Sequence, residues 1–366
     1  MKPRLLFVAR TRYELPLSPS LERKFDALRD RFDVRVLATS ANGKPREDAT
    51  FRLVGRSPFL DGLLFYALLP VRVRAIANEH RPVAIVTQSP YEAACVWLAR
   101  AHAKIVVELH GDWRTATRLY GSPLRRALSP IADAVGTFGL RRADAVRTVS
   151  SYTSGLAREI GVESTREFAA FMDLELFAER PPVPLPPVPA ALFVGVLELY
   201  KNVDGLSRAW RLAAPRLPGA QLRIVGRGSR SEVVRALVRD LPAQTTWAER
   251  LTQAEVAQAM DEATCLVLPS RSEGLGRVLV EASLRERPAV AMDVGGIGDV
   301  VEDGVTGLLV SSDEELADAL VRVLTDRQLA ERLAAGARHA ATRWLASPGE
   351  YAERIAELLK PYTAGA

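Results

Sequence analysis

The segment from residue 264 to residue 281 restricts the chain to few folds. Residues 264–268 (Thr-Cys-Leu-Val-Leu) form a short apolar run, which is typical of a strand buried on both faces of a parallel sheet. Helical spacing follows, with Val278 and Ala282 four residues apart. Gly274 and Gly276 lie between, in a loop whose backbone can adopt conformations closed to other residues. A strand, a tight loop and a helix in this order predict an α/β fold.

The same loop is suited to a nucleotide sugar. A helix that begins at a glycine loop presents unpaired N–H groups and the positive end of its dipole, and both favour phosphate. Glu273 lies in the loop and Glu281 in the second turn of the helix. Because carboxylates repel phosphate, we expect them to accept hydrogen bonds from hydroxyl groups, as on a ribose and a sugar. The alternative is a pair of solvated surface glutamates.

Three stretches of the second half together resemble one large family. They are the two glutamates separated by seven residues, the Gly-Gly turn within residues 288–310, and residues 193–202, which contain Lys201. This pattern is similar to that of the retaining GT-B glycosyltransferases of group 1 (family four). The resemblance is close in the second half and looser in the first. It implies an α/β, GT-B fold in which two Rossmann-like domains with parallel sheets face each other across a cleft.

Length and composition agree with two domains. The chain has 366 residues, of which 48% are hydrophobic and 25% charged, so each half can bury a core. Six prolines between residues 180 and 189 exclude a helix or central strand and predict a stiff connector. We expect an acceptor-binding domain at residues 1–179, the linker at 180–189, and a donor-binding domain at 190–345. The resemblance implies that residues 346–366 form a helix that crosses back onto the first domain.

Charge and cysteine content disfavour several other classes. The net charge of +5 is modest for this length and does not indicate nucleic-acid binding. The 2 cysteines lie in apolar runs, which favours buried thiols, and the 4 histidines lack the spacing of metal ligands. We expect neither a signal peptide nor a spanning helix, and therefore a cytoplasmic protein.

The first half opens with a predicted strand at residues 5–9 and a helix at 21–32. The loop between them has no glycine, unlike that of the relatives, and it carries Arg10 and Arg12. We assign the two arginines to a phosphate or an acidic acceptor, with solvated side chains as the alternative.

An apolar segment at residues 59–70 is followed by Arg72 and Arg74. It is too short to span a bilayer. Two interpretations stay open: a core helix with a basic end, or a helix that lies at the inner face of a membrane as a peripheral contact.

His110 follows a predicted strand at residues 104–109. Ligands of open α/β sheets gather beyond the carboxyl ends of the strands. The position of His110 resembles that of the histidine in the family's first domain that faces the donor sugar, so we assign it to catalysis. Asp112 and Trp113 are assigned to the acceptor, with Trp113 as a stacking surface for a sugar.

The resemblance also implies a role for each donor-site residue. Lys201 would neutralise the diphosphate, Glu273 would contact the transferred sugar, and Glu281 would bind the ribose hydroxyls. The catalytic set is therefore Glu273, His110 and Lys201. The donor-binding set is Gly195, Lys201, Gly274, Leu275, Gly276 and Glu281. Where relatives carry a further arginine this chain has Val196, and Arg277 either compensates for it or is solvated.

The resemblance implies transfer of a sugar from a nucleoside-diphosphate sugar of the UDP or GDP type, with retention, no metal and no other cofactor. The acceptor would be a glycan, a lipid-linked sugar or a small molecule. Two alternatives stay open. One is a nucleotide-sugar-binding protein without activity that partners a transferase. The other is a nicotinamide-dependent dehydrogenase, for which the sequence Gly226-Arg-Gly228 lacks the third glycine of the phosphate-binding fingerprint.

Overall fold

The computed structural model describes residues 1–56, 61–119 and 126–363, and the chain divides into two compact units. The first comprises Met1–Phe171 and Ala346–Ala366, and the second comprises Met172–Leu345. Each unit contains a mainly parallel sheet flanked by helices, so the α/β class predicted from the sequence is confirmed.

The first unit contains strands β1 (Arg4–Tyr13), β2 (Asp33–Ser40), β3 (Arg46–Glu47), β4 (Phe51–Val54), β5 (Ala84–Thr87), β6 (Lys104–Leu109), β7 (Ala145–Thr148) and β8 (Arg166–Glu167). Its helices are α1 (Pro19–Arg31), α2 (Asp61–His80), α3 (Pro90–Ala99), α4 (Trp113–Leu119), α5 (Ser129–Arg141) and α6 (Ser151–Glu159). The strands pair in the order β3-β4-β2-β1-β5-β6-β7-β8. Only β3 and β4 run antiparallel among these described strands.

The central strands of this sheet are covered on both faces, which is why most of their residues are apolar. Helices α2, α3, α5 and α6 contribute side chains to the core on one face, among them Phe65 and Leu140. Phe25 and Leu28 of α1 lie in the core on the other face. The carboxyl ends of the strands are left for loops that can carry functional residues.

The second unit contains α7 (Glu175–Glu179), β9 (Ala190–Val194), α8 (Val203–Ala213), β10 (Gln221–Val225), α9 (Ser231–Asp240), β11 (Thr245–Ala248), α10 (Gln253–Asp261) and β12 (Cys265–Leu268). It continues with α11 (Arg277–Leu284), β13 (Ala289–Met292), β14 (Gly307–Val310), α12 (Asp313–Thr325) and α13 (Arg327–Ala341). All neighbouring strands are parallel, in the order β11-β10-β9-β12-β13-β14.

The proline-rich segment expected as a linker is part of the second unit, which begins at Met172. Arginine side chains bind its backbone carbonyls. Arg285 Nη1 donates to the carbonyl of Arg180 at 2.7 Å, and Arg287 Nη2 donates to that of Val183 at 3.0 Å. A segment that cannot pair its carbonyls in a helix or sheet is thus held by buried guanidinium groups. The boundary between compact units therefore precedes residues 180–189.

The C-terminal segment belongs to the first unit. It forms α14 (Pro348–Thr363), which packs on α1 and inserts Tyr351 and Ile355 into the core. Among the described residues, no helix combines the length and apolar content needed to cross a bilayer.

Candidate functional site

Lys201 and Glu273 meet at the carboxyl ends of β9 and β12. These strands are neighbours in the second sheet, so the loops that follow them lie side by side. Lys201 ends a short 3-10 turn after β9, and its Nζ forms an ion pair with Glu273 Oε1. Each side chain is only 11% exposed. The structure thus brings together two of the three residues assigned to catalysis.

The loop that carries Glu273 is held by neighbours that the sequence analysis did not assign. Ser270 is fully buried, and its Oγ donates to Glu273 Oε1 at 2.8 Å. Gly296 N donates to the backbone carbonyl of Glu273 at 2.9 Å. Gly295 has a φ of +60°, and a Cβ there would lie 2.2 Å from the same carbonyl, so only glycine fits. The Gly-Gly turn after β13 was visible in the sequence as a motif, whereas no sequence pattern indicated that Ser270 contacts Glu273.

Gly276 lies at the point where the loop becomes helix α11. Its φ is +83°, and no side chain caps the helix there. The first N–H groups of the helix and its positive dipole end therefore lie in the same loop as Glu273. This is the arrangement that the glycines predicted, and it is suited to bind an anion.

Glu281 projects from the second turn of α11 and is mostly buried. Burial raises the pKa of its carboxyl group, and Arg277, one turn earlier, partly offsets that rise. Arg277 Nε donates to Glu281 Oε1 at 2.6 Å, and its Nη2 donates to the carbonyl of Asp173 at 3.3 Å. Arg277 thus orients Glu281, a role that neither sequence interpretation of Arg277 had proposed.

Gly195 directly follows strand β9 and lies close to the lysine. A Cβ at Gly195 would lie 3.7 Å from Lys201 Cε, so the backbone passes near the cationic side chain. Gly226, at the end of β10, has a φ of +142°, and a Cβ there would lie 1.8 Å from the carbonyl oxygen of Gly195. Gly226 of the Gly226-Arg-Gly228 sequence therefore allows the loop after β10 to pass close to the loop after β9. Val196, where relatives carry a cation, is 47% exposed.

In the first unit, His110 follows β6 and is accompanied by a buried carboxylate. His110 Nε2 lies 3.6 Å from Glu108 Oε2, and the His110 side chain is 36% exposed. Glu108 Oε1 accepts hydrogen bonds from Arg147 Nη1 at 2.8 Å and from the Tyr351 hydroxyl at 3.4 Å. Burial alone would raise the pKa of Glu108. Arg147 and His110 outweigh burial and lower the pKa to about 2.

Glu108 and Arg147 were not predicted as site residues, although their pattern in the sequence is distinctive. Each is a charged residue inside an otherwise apolar strand, and the register of β6 and β7 places the two opposite each other. Buried charges in such strands are paired. What the sequence did not provide was the strand order that makes them partners.

The acceptor assignment of Trp113 is wrong, and Asp112 has a local role. Trp113 is 4% exposed and belongs to the core, where Gly136 of α5 packs against its indole ring. It therefore offers no face for stacking on a sugar. Asp112 precedes α4, and its Oδ1 accepts from Arg114 N at 2.9 Å while its Oδ2 accepts from the Thr115 hydroxyl at 2.6 Å. Both carboxylate oxygens thus stabilise the start of the helix.

Arg10 and Arg12 lie in the last part of β1 rather than in a loop, because β1 continues to Tyr13. Arg10 N donates to Glu92 Oε1 at 3.2 Å, and Arg12 is exposed. Glu92 is a buried carboxyl group at the start of α3, and burial raises its pKa to about 7. In residues 1–56, 61–119 and 126–363 we find no cluster of three or more His, Cys, Asp or Glu side chains placed to hold a metal.

Both halves of the chain match models of known families. Residues 180–340 match the family described as glycosyl transferases group 1. Residues 18–169 match the family described as glycosyl transferase 4-like domain.

Curated relatives match over part of their length. The chain is 38% identical over 160 residues to D-inositol 3-phosphate glycosyltransferase of Nocardia farcinica, a match covering 40% of this chain and 35% of that protein. It is 33% identical over 153 residues to alpha-D-kanosaminyltransferase of Streptomyces kanamyceticus, covering 41% and 40%. The match thus spans well under half of each of these relatives.

Solved structures match the whole chain. Sucrose-phosphate synthase from Thermosynechococcus elongatus superposes with a TM-score of 0.81 at 20% identity, covering 100% of both chains. Anabaena Alr3699/HepE in complex with UDP-glucose superposes with a TM-score of 0.71 at 19% identity, covering 98% of this chain and 99% of that one. At these identities the likeness shows the fold.

Proposed function

Because this chain belongs to the glycosyl transferases of group 1, with a glycosyl transferase 4-like domain in its first half, we propose that it transfers a sugar from a nucleoside-diphosphate sugar to an acceptor hydroxyl. The observation that carries the proposal is the meeting of Lys201 and Glu273 in the loops beside the start of α11, with Glu281 in the second turn of that helix. One loop cluster then holds a cation, a helix N-terminus and two carboxylates, which are the groups that a diphosphate and hydroxylated sugars need.

Lys201 would stabilise the leaving diphosphate. The bond between the anomeric carbon and the phosphate oxygen breaks, and negative charge builds up on that oxygen. A lysine ammonium group and the N-terminus of α11 both stabilise such charge. A bound diphosphate would compete with Glu273 for the ammonium group, and the Glu273 carboxylate would then accept hydrogen bonds from the transferred sugar. Exchange of partners would couple donor binding to the positioning of Glu273.

Glu281 would accept hydrogen bonds from the ribose hydroxyls. Arg277 Nε, from the same helix, donates to Oε1 of this mostly buried carboxylate, and Oε2 would accept from the ribose hydroxyls. An ionised carboxylate is the stronger acceptor, so the pair with Arg277 favours the form that binds hydroxyls.

Retention of the anomeric configuration and independence from metal belong to the same proposal. Lys201 and the helix dipole would stabilise the negative charge of the diphosphate, a task that a divalent cation performs in other transferases. The proton of the acceptor hydroxyl would pass to the departing phosphate oxygen as the new glycosidic bond forms. His110 of the first unit keeps the catalytic assignment that the family resemblance implies.

The donor base, the sugar and the acceptor are proposed only as classes: a UDP or GDP sugar, and a carbohydrate or lipid-linked acceptor. The name of the Nocardia farcinica relative gives an acceptor and that of the Streptomyces kanamyceticus relative gives a transferred sugar, so the two names do not select a donor or an acceptor for this chain. They are named as transferases, which does not favour the alternative of a binding protein without activity.

A donor screen followed by a transfer assay tests the proposal. Thermal shift with UDP, GDP and ADP sugars should identify the donor, because a ligand that binds only the folded state stabilises it. With that donor, Lys201→Gln should lower kcat by about 100-fold or more, the loss typical of one electrostatic group at a developing charge. Lys360→Gln, at an exposed position of α14, is the matched control and should leave kcat unchanged.

Two further measurements test independence from metal and retention of the anomeric configuration. Activity should persist in excess chelator, and NMR of the first-formed product should give the same anomeric configuration as the donor. A protein that binds a donor but neither hydrolyses nor transfers it would contradict the enzymatic proposal. Wild-type turnover of Lys201→Gln would remove Lys201 from the site.

A further inference from the structure

Helix α2 is apolar on its outer face as well as on its inner face. The inner face packs in the core through residues about one turn apart, namely Phe65, Leu69, Val73 and Ile76. The outer face carries Leu63, Leu64, Leu68 and Val71, which are 69%, 41%, 44% and 70% exposed. A helix on the surface of a globular protein normally turns polar side chains outward. The segment predicted at residues 59–70 has its first two residues outside the described part of the chain. Its described residues have an exposed apolar face in addition to the face that packs in the core.

The exposed apolar surface continues onto the helices beside α2. Helix α3 packs against α2 and against α5. On α3, Trp97 is 39% and Leu98 is 59% exposed, and on α5, Ile131 is 63% and Val135 is 40% exposed. The Trp97 ring contacts the Phe138 ring edge-on at 5.0 Å between centroids, so α3 and α5 present one joined surface.

A groove runs along α5 within this surface. It has a volume of about 470 Å³, and the five residues that line it are apolar: Pro130, Ile131, Ala134, Val135 and Phe138. Contiguous apolar surface of this kind marks an interaction site rather than ordinary surface.

The charges around the apolar surface are positive. Arg74, Arg100, Arg126, Arg141 and Arg142 are exposed on or next to the three helices. The guanidinium group of Arg142 lies over both the Trp97 and the Phe138 rings, 5.4 Å from each centroid. A cation is thus fixed beside the exposed aromatic surface.

The acidic side chains in the described parts of these helices do not oppose this charge. Glu92 of α3 is 2% exposed. Asp133 of α5 pairs with Arg118 at 2.5 Å, and Glu79 at the end of α2 pairs with Arg35 at 3.5 Å. Among the side chains described on these helices, the exposed charge at this surface is therefore mainly that of arginine.

We propose that the outer faces of α2, α3 and α5 dock on a membrane leaflet rich in anionic phospholipids. The exposed leucines, isoleucine and tryptophan would insert at the boundary between headgroups and acyl chains, and the arginines would bind lipid phosphates. Charge complementarity favours this occupant over a second copy of the chain. In a symmetric dimer the same arginines would face each other and repel.

Docking does not depend on sugar transfer, so the two proposals fail separately. Docking also deepens the proposed function, because a transferase held at a lipid surface meets lipid-linked acceptors there. Among the acceptor classes left open, this surface favours the lipid-linked one, an inference that rests on the proposed function.

Vesicle flotation tests the proposal directly. The full chain should float with vesicles of phosphatidylglycerol and phosphatidylcholine, and only weakly with phosphatidylcholine alone. Raising the salt concentration should weaken binding, since the Debye length falls from about 10 Å at 0.1 M to about 3 Å at 1 M. The double variant L68E/I131E should bind anionic vesicles at least about ten-fold more weakly, because each change places a carboxylate among anionic lipids. Leu212→Glu, at a 50% exposed leucine of the second unit, is the matched control and should bind like the native chain.

The basic side chains are tested by a second variant that keeps the apolar surface. R74Q/R142Q should weaken binding by about five-fold for each arginine removed. It also tests the proposal if L68E/I131E does not fold.

Three results would overturn the proposal. One is native protein that ignores anionic vesicles, and another is binding that neither double variant weakens. The third is a dimer, measured by light scattering, that L68E/I131E dissociates while the native chain does not float, which would make the surface an interface between chains.

Discussion

Replacing Glu108 by glutamine should destabilise the first unit by several kcal/mol. The side chains of Glu108 and Arg147 are 2% and 0% exposed, and the substitution would leave the guanidinium group buried without its carboxylate. Removing one partner of a buried pair costs about 3–5 kcal/mol. An independent figure follows from the pKa of Glu108, which the fold lowers from 4.5 to about 2. At about 1.4 kcal/mol per unit of pKa, folding favours the ionised form over the protonated form by roughly 3 kcal/mol.

The same pair predicts a pH dependence with a definite sign. A carboxyl group whose pKa is lower in the folded state stabilises the fold above its unfolded pKa. That contribution is lost as the pH falls from about 4.5 towards 2. His110 and Lys24 also lower the pKa of Glu108, and the Tyr351 hydroxyl donates to its carboxylate. In the glutamine variant this acid-dependent loss should be absent.

Hydrogen exchange in urea is the suitable assay, because two compact units need not unfold together. Peptides from β6 and β7 report the free energy of unfolding of the first unit by itself. The difference between native and Glu108→Gln chains should be largest at pH 7 and should shrink as the pH approaches 3. Glu163→Gln is the matched control, since Glu163 is 81% exposed and its nearest cation is 3.9 Å away, and it should change stability by less than about 0.5 kcal/mol.

A double variant distinguishes a buried charge from a lost contact. Glu108→Gln combined with Arg147→Met should be more stable than Glu108→Gln alone, because it removes the uncompensated cation. The reasoning would be refuted by a single variant within about 1 kcal/mol of the native chain at pH 7. An equal difference at pH 7 and pH 3 would refute the linkage to the Glu108 pKa.

Three further predictions concern the second unit. Gly276→Ala should lower the stability of this unit by about 1–2 kcal/mol, because φ is +83° and the new methyl group would lie 2.8 Å from a leucine side chain. Gly155→Ala, in open space on α6, is the control and should not destabilise the protein, and equal urea midpoints for Gly276→Ala and the native chain would contradict the strain. Arg277→Ala should raise the pKa of Glu281 further, so the donor affinity should fall at a higher pH than in the native chain when it is measured by calorimetry between pH 8 and pH 5. An unchanged pH profile would show that Arg277 does not control the ionisation of Glu281. Cys265 should resist thiol reagents in the folded protein, since burial raises its pKa to about 12, and rapid labelling without urea would contradict its burial.

Much of the fold could be predicted from the chain itself. The apolar run at residues 264–268 became β12 (Cys265–Leu268), because a strand covered on both faces must be apolar throughout. The expected GT-B fold is confirmed by the likeness of the whole chain to solved transferase structures. The start of α11 at a glycine with positive φ was also predictable, since Gly276 permits a backbone that other residues rarely adopt.

Side-chain environments were less predictable. Trp113 follows a strand end in the sequence and looked available to a sugar, yet it is buried against Gly136. Its direction depends on the packing of α4 and α5, which no local pattern records. Arg277 likewise looked free, but the helix places it one turn before Glu281 and their side chains pair.

The sequence alone determined the properties that depend on neighbours along the chain. These are the alternation of apolar strands with helices, the glycine loop at the start of α11, and the spacing of Glu273 and Glu281. Only the tertiary structure decided which distant residues meet. Strand order places Lys201 beside Glu273 and Arg147 beside Glu108, and helix packing leaves the leucines of α2 exposed. The physical reason is that backbone periodicity is a local property, whereas burial and charge pairing depend on segments brought together by the fold.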